Sequence, residues 1–141
     1  MVQAEFIHRW FEEVWNNRNA DAIDEMFAEN GVANGLKDAD GNTIIGPAGY
    51  KPFRAAFLQA FPDIKITVED TVTEGDKIAA RCRATGTHCG EGIGVTPCNT
   101  QVDFTFMSIV EIKDGKITQA WNNIDFMEMY KQLGALTLDL K

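Results

Sequence analysis

The sequence predicts an α+β domain in which N-terminal helices pack on a strongly curved antiparallel sheet. Apolar residues repeat with the helical period of about 3.6 as far as residue 61, and with the strand period of 2 from residue 64 onwards. In addition, Asp114-Gly115 separates two alternating runs, which is the strongest short signal for a hairpin. Such a sheet buries one face, and the amphipathic helices are available to cover it. A twisted, long-stranded sheet wrapped around helices forms a cone whose mouth is a natural pocket.

Three helices are predicted before the first long strand. The first occupies residues 2–17, and its apolar stripe is Phe6, Ile7, Trp10, Phe11, Val14 and Trp15. The second is short and is stopped by Asn30-Gly31. The third begins at Gly46-Pro47, because proline is favoured at the first helical position, and ends at Phe61-Pro62. Its apolar face carries Tyr50, Phe53, Phe57 and Phe61.

Four long strands are predicted after these helices, at residues 64–74, 77–88, 101–113 and 116–125. A short strand is expected earlier, at residues 32–36, followed by a turn at 37–43 that is rich in Asp, Asn and Gly. A closing helix covers residues 126–133 and ends at Gly134.

Length and charge limit the classes of function. The 141 residues fit a single domain, 1–141, large enough to bury a core without disulfides or metal. The net charge of −8 disfavours nucleic acid and anionic membranes as partners. The start lacks the pattern of a signal peptide, and no apolar run is long enough to span a membrane. We therefore expect a cytoplasmic protein with reduced thiols.

The three cysteines raise the question of a metal site. His88, Cys89 and Cys98 are the only grouping that suggests zinc. Their spacing matches no standard finger or ribbon, and a fourth ligand is missing. We expect neither metal nor cofactor.

Strand alternation selects the candidate pocket residues. On the strand 77–88 the even positions are apolar, so His88 falls at the inner end of the inward face. On the strand 116–125, Asp125 shares a face with Trp121 and Asn123. An aspartate among aromatic groups has a raised pKa and can act as an acid or base near neutral pH. Asp125 also precedes the closing helix and fits its N-cap, and the pattern leaves both roles open. His88 has a purely structural alternative too, as a strand-end histidine bonded to a backbone carbonyl.

Four segments carry a resemblance to a known family. They are FEEVWNNRNADAIDEMFAEN, GPAGYKPFRAAFLQAFPDIKITVED, GDKIAARCRATGTHCGEGIGVTP and VEIKDGKITQAWNNIDFMEMYKQLG. Together they contain GPxG, FPD, GTHxGE, W-x-x-x-D and QLG in order over nearly the whole chain. This set resembles the SnoaL-like polyketide cyclases.

The resemblance implies a cystatin-like, nuclear-transport-factor-type cone, usually a homodimer packed through its sheets. It also implies ring closure in an aromatic polyketide by intramolecular aldol condensation, without metal or cofactor. The position that matches the family's acid/base aspartate is Asp125, and His88 is similar to its pocket histidine. Many relatives have Asp-His in the first short strand, where this chain has Ala33-Asn34-Gly35. Asn34 forms hydrogen bonds but exchanges no proton near neutral pH.

The predicted site thus has catalytic residues Asp125 and His88. Its predicted pocket residues are Asn34, Trp15, Phe53, Phe57, Phe106, Trp121 and Asn123. In the enzyme hypothesis, Asp125 moves a proton beside a carbonyl while His88 and Asn34 hold the oxygen. The rival is a module that binds a small apolar ligand without chemistry. A proton shuttle of the ketosteroid-isomerase kind, or a hydrolase, would use the same residues.

Overall fold

The computed structural model describes residues 3–136. Helix α1 is Gln3–Trp10 and continues as a π-helical segment, Phe11–Asn16. The elements that follow are α2 (Asp21–Met26), β1 (Phe27–Lys37), β2 (Thr43–Ile45), α3 (Gly46–Ala60), β3 (Lys65–Glu74), β4 (Lys77–Thr87), β5 (Gln101–Lys113), β6 (Lys116–Ile124) and α4 (Phe126–Gln132). None of the helices in this part of the chain has the length and apolar character needed to span a membrane.

The six strands form one sheet in the order β2-β1-β6-β5-β4-β3. The two predicted hairpins are present, with Glu74 opposite Lys77 and Lys113 opposite Lys116. The α+β prediction is confirmed, but the sheet is mixed, because β1 runs parallel to β6. Local turn signals could not reveal this pairing, since β1 and β6 are distant in sequence.

The second helix ends earlier than predicted. It stops at Met26, and residues 27–37 are strand, so Asn30-Gly31 lies inside β1. Close packing, rather than a helix end, requires glycine at position 31, because a Cβ on Gly31 would lie 2.5 Å from the Phe27 ring. The three-residue strand β2, which the sequence analysis missed, pairs with β1 at Val32 and Ala33.

The helices pack their apolar stripe into the concave face of the sheet. All six residues of the predicted stripe of the first helix are buried. Arg54 links α3 to the π-helical segment, because its Nε donates a hydrogen bond to the Val14 carbonyl at 2.8 Å. The buried layer is apolar and continuous, which is the arrangement expected when helices cover one face of a sheet.

A β-bulge at Thr118 changes which residues of β6 face the helices. Glu111 of β5 pairs with Gln119, but the next residue, Ile112, pairs with Ile117, so Thr118 is an extra residue on β6. An extra residue in one strand reverses the alternation of its side chains beyond that point. Before the bulge the odd residue Ile117 faces inward, and after it the even residue Ala120 does.

Candidate ligand site

An apolar cavity lies between the helices and the concave face of the sheet. We call it the inner cavity, and it encloses about 70 Å³ of free space. Its walls come from α1, the π-helical segment, α3 and the strands, and aromatic rings predominate at the helical side. The aromatic wall residues are Trp10, Phe11, Trp15, Phe27, Tyr50, Phe53, Phe57, Phe104 and Phe106. Such a space favours apolar, flat compounds.

Two polar side chains of the sheet line this cavity. Ser108 of β5 and Asn122 of β6 are paired across the strands, and the Ser108 hydroxyl donates to Asn122 Oδ1 at 2.9 Å. Asn122 Nδ2 in turn donates to the backbone carbonyl of Asn34 at 3.1 Å. The second N–H of the amide and the remaining lone pairs of the hydroxyl are left for other partners. The pair therefore provides a place on the sheet side of the inner cavity where a ligand can form hydrogen bonds.

Tyr50 contributes a third polar group from the helical side. Its hydroxyl accepts a hydrogen bond from Trp15 Nε1 at 3.0 Å. Burial raises the pKa of the Tyr50 hydroxyl well above its usual range, so this group is neutral at physiological pH. Among residues 3–136, no carboxylate and no imidazole lines the inner cavity.

A wider groove lies outside the inner cavity, at the mouth of the cone. This mouth groove has a volume of about 550 Å³ and is formed by the end of β1, helix α3, the loop after β4 and helix α4. Its lining residues are Lys37, Asp38, Ala39, Ala48, Gly49, Pro52, Phe53, Ala56, Phe57, Gly92, Ile93, Phe126 and Tyr130. Phe53 and Phe57 line both the groove and the inner cavity.

Comparison with known families identifies this architecture. The family model described as SnoaL-like polyketide cyclase matches residues 5–133 of the 141. The chain belongs to the SnoaL-like polyketide cyclase family. The family resemblance noted in the sequence is thereby confirmed. A search of the curated proteins found no match.

Solved SnoaL-like structures share the fold. IdmH from Streptomyces antibioticus has a TM-score of 0.82 and 28% identity, with 95% of this chain and 99% of IdmH covered. A SnoaL-like protein from Jannaschia sp. CCS1 has a TM-score of 0.82 and 22% identity, covering 96% and 93% of the two chains. A SnoaL-like polyketide cyclase from Agrobacterium tumefaciens strain C58 has a TM-score of 0.77 at 19% identity, covering 95% and 99%.

The residues predicted for the site divide into two groups in this SnoaL-like chain. Four of them, Trp15, Phe53, Phe57 and Phe106, lie around the inner cavity. Asn34 does not line it; its amide donates to Gln119 Oε1 and to the Ala120 carbonyl, both at 3.0 Å.

The predicted facing of the last strand is wrong. Trp121, Asn123 and Asp125 do share a face, but it is the outer one, and all three are exposed. The residues of this strand that line the cavity are Ile117 before the bulge and Ala120, Asn122 and Ile124 after it. The reason is the bulge at Thr118, which reverses the alternation that the sequence analysis carried unbroken along the strand.

Asp125 occupies the N-cap of α4. Its Oδ1 accepts a hydrogen bond from the backbone N–H of Glu128 at 3.0 Å. This is the structural alternative that the sequence left open. The preceding residue, Ile124, lines the inner cavity, and the following one, Phe126, lines the mouth groove. The backbone of Asp125 is therefore close to both spaces, while its carboxylate is turned away from the inner one.

His88 is inward and fully buried, as its strand position predicted, but it does not line the inner cavity. Its ring lies 5.5 Å from that of Phe61, and its Nδ1 is 3.5 Å from Cys98 Sγ. Nε2 has no hydrogen-bond partner within residues 3–136. Over the same residues, no cluster of three or more His, Cys, Asp or Glu side chains could hold a metal ion.

Sequence reasoning missed Ser108, Asn122 and Tyr50 as polar groups of the cavity. A signal for Ser108 was present, since it is the one polar residue in the alternating run Val102, Phe104, Phe106, Ser108, Val110. Asn122 could not be found in the same way, because its facing depends on the bulge.

Proposed function

We propose that this SnoaL-like chain binds a small apolar carbonyl compound inside its cone, with the Asn122 amide, held by Ser108, at the carbonyl oxygen. The observation that supports this most directly is the Ser108–Asn122 pair in an otherwise largely apolar cavity. Asn122 Nδ2 has a second N–H beside the one that it donates to Asn34, and a hydrogen bond to it contributes about 0.5–1.5 kcal/mol, so a ligand that accepts a hydrogen bond is favoured over a plain hydrocarbon. The aromatic walls favour a flat, unsaturated skeleton around that oxygen.

Two neighbouring asparagines of β6, Asn122 and Asn123, allow the proposed carbonyl contact to be tested. Asn122 lines the cavity, whereas Asn123 is exposed on the opposite face of the same strand. Binding of 2-acetylnaphthalene to the wild type, Asn122→Leu and Asn123→Leu is measured by calorimetry. We expect Asn122→Leu to weaken binding about tenfold, the equivalent of one hydrogen bond of roughly 1.4 kcal/mol, and Asn123→Leu to leave it unchanged.

Two controls complete the design. Ser108→Ala should weaken binding in the same direction as Asn122→Leu, because both groups belong to one polar pair. 2-Ethylnaphthalene, which lacks the oxygen, should bind the wild type and Asn122→Leu about equally. If Asn122→Leu binds the ketone as tightly as the wild type does, the proposed role of this pair is wrong.

Ring closure by acid/base chemistry is the second candidate function, and membership of the cyclase family supports it. In this reaction a base takes a proton from the carbon next to a carbonyl, and the resulting enolate attacks a second carbonyl of the same molecule to form a carbon–carbon bond. The alkoxide that this leaves is protonated by the conjugate acid of the base. Asp125 and His88 remain the predicted acid/base residues. The Asn122 amide, held by the hydrogen bond from Ser108, adds a donor for the enolate oxygen, which would stabilise its charge in an apolar site. For Asp125 to reach the ligand, its side chain must leave the cap of α4.

We also propose a homodimer packed through the outer face of the sheet. Val72, Ile109 and Trp121 lie in one row across β3, β5 and β6, with Met107 beside them, and all four are exposed. Side chains of this type are uncommon as a contiguous exposed group on a monomer and are typical of an interface. The family resemblance favours a second copy of this chain as the partner.

A further inference from the structure

We infer that the inner cavity and the mouth groove are two halves of one ligand site, divided by the rings of Phe53 and Phe57, and that these rings limit ligand length. The inference rests on the proposed binding function, because it concerns the same carbonyl compound. The ligand class is an elongated molecule with an apolar, carbonyl-bearing end in the cavity and a more polar end in the groove.

The two volumes indicate that neither half is the whole site. Small-molecule sites in proteins usually have volumes of about 300–1,000 Å³. The inner cavity, at about 70 Å³, is far below this range, although it carries the polar pair that can bind an oxygen. The mouth groove, at about 550 Å³, is within it. A ligand of ordinary size that reaches Asn122 must therefore extend into the groove.

Among the described residues, only Phe53 and Phe57 of α3 line both spaces. Phe53 and Phe57 are four residues apart and lie on one face of the helix, with ring centroids 5.0 Å apart. Both side chains are only partly buried. Their rotation would join the cavity and the groove without moving the helix backbone, because rotamer changes of accessible side chains occur on the picosecond to nanosecond scale.

Phe57 is the more central of the two rings. It packs against Trp15 on the cavity side, at 6.4 Å, and against Phe126 on the groove side, at 6.1 Å. Phe53 packs against Trp15 and Tyr50, which both line the inner cavity. Removing the Phe57 ring should thus open the wall more completely than removing that of Phe53.

The groove offers polar groups to the outer end of the ligand. Lys37 and Asp38 stand at the end of β1, and the Tyr130 hydroxyl, which donates to the Ile93 carbonyl at 3.1 Å, retains acceptor capacity. Phe126 adds an aromatic ring to the groove, 6.5 Å from that of Tyr130. Because most of the groove lining is apolar, it suits a hydrocarbon chain that ends in a hydroxyl or charged group.

The test measures how tightly ligands of increasing length bind when a ring that lines both spaces, or a ring that lines only one of them, is removed. Binding of straight-chain phenyl ketones, from acetophenone to decanophenone, is measured by calorimetry and by tryptophan fluorescence, to which Trp10 and Trp15 of the cavity wall contribute. The variants are Phe57→Ala in the wall, Phe104→Ala in the inner cavity only and Phe126→Ala in the groove only. Phe57→Leu, which keeps more of the core volume, replaces Phe57→Ala if that variant does not fold.

We expect the affinity of the wild type to stop rising with chain length once the cavity is full. Phe57→Ala should bind the longest ketones about tenfold more tightly, since each newly buried methylene contributes about 0.8 kcal/mol, and acetophenone about as tightly as before. Phe104→Ala should favour the short ketones instead. The same length profile in all three variants would overturn the inference, while an intact effect of Asn122→Leu would leave the proposed function standing. If acetophenone binding is also insensitive to Asn122→Leu, the proposed function fails, and the inference that rests on it fails as well.

Discussion

Asp125 Oδ1 accepts a hydrogen bond from the backbone N–H of Glu128 at 3.0 Å, so the carboxylate that the family resemblance assigns to chemistry also begins the last helix. The two roles make different demands. A cap needs a side-chain oxygen, whereas proton transfer near neutral pH needs a carboxyl group.

Substitution by asparagine separates these roles. Asn caps helices about as well as Asp, so Asp125→Asn should unfold at nearly the same urea concentration as the wild type. If Asp125 is the acid/base residue of a ring closure, this variant loses about 10²–10⁴-fold in turnover of a confirmed substrate. Asp125→Ala should lose about 1 kcal/mol of stability in addition. Wild-type turnover by a folded Asp125→Asn would show that the carboxyl group is not required.

Asp63 should contribute to acid sensitivity. Hydrogen bonds from the backbone N–H and the hydroxyl of Thr87, at 2.7 and 2.8 Å, hold the pKa of the Asp63 carboxyl below its usual 3.8. Because the folded pKa is the lower one, the stabilisation is present above pH 3.8 and is lost as the pH falls through the folded pKa.

Urea unfolding of the wild type and of Asp63→Asn between about pH 6 and about pH 2 measures this contribution. The free energy of unfolding of Asp63→Asn should be lower than that of the wild type at the upper end, and the two should converge at the lower end. Asp114→Asn, in the exposed turn after β5, serves as the control. Parallel pH profiles for the wild type and Asp63→Asn would contradict the assignment.

The outer face of the sheet should control the oligomeric state. Trp121→Glu places a charge in the proposed interface, next to Ile109 on the neighbouring strand, and should raise the dimer Kd by at least about tenfold. Sedimentation velocity over a concentration series measures this change. Met127 is equally apolar and 57% exposed, but it lies on α4, so Met127→Glu is the matched control. Equal effects of the two variants would argue against this interface.

His88 should tolerate an apolar replacement. It is fully buried with an unpartnered Nε2 in the described structure, and its Nδ1 faces only the weakly bonding Cys98 sulfur. Removing such a group is nearly neutral, so His88→Leu should stay within about 1 kcal/mol of the wild type in urea unfolding. Phe61→Ala, beside it, should cost about 3–5 kcal/mol. A loss above about 2 kcal/mol for His88→Leu would indicate a buried water on Nε2.

The features that the sequence predicted correctly are those set by neighbouring residues. The apolar stripe ending at Trp15 and the turn at Asp114-Gly115 depend on local spacing and turn chemistry, and both are present. The parallel pairing of β1 with β6 and the bulge at Thr118 depend on contacts between distant strands. Strand alternation therefore predicted the inward face of β4 correctly and that of β6 wrongly. As a result, Asn123 was predicted for the pocket in place of Asn122.

The bulge at Thr118 also bears on how the pockets of such cones are compared between relatives. Ile117 pairs with Ile112 and Gln119 with Glu111, so loss of Thr118 alone would remove the bulge and leave the later residues of β6 opposite their present partners. Ala120, Asn122 and Ile124 would still line the cavity. A difference of one residue in the length of this strand can therefore change the numbering of the wall residues without changing the wall, so relatives are best aligned with Thr118 as the inserted residue before their wall residues are compared.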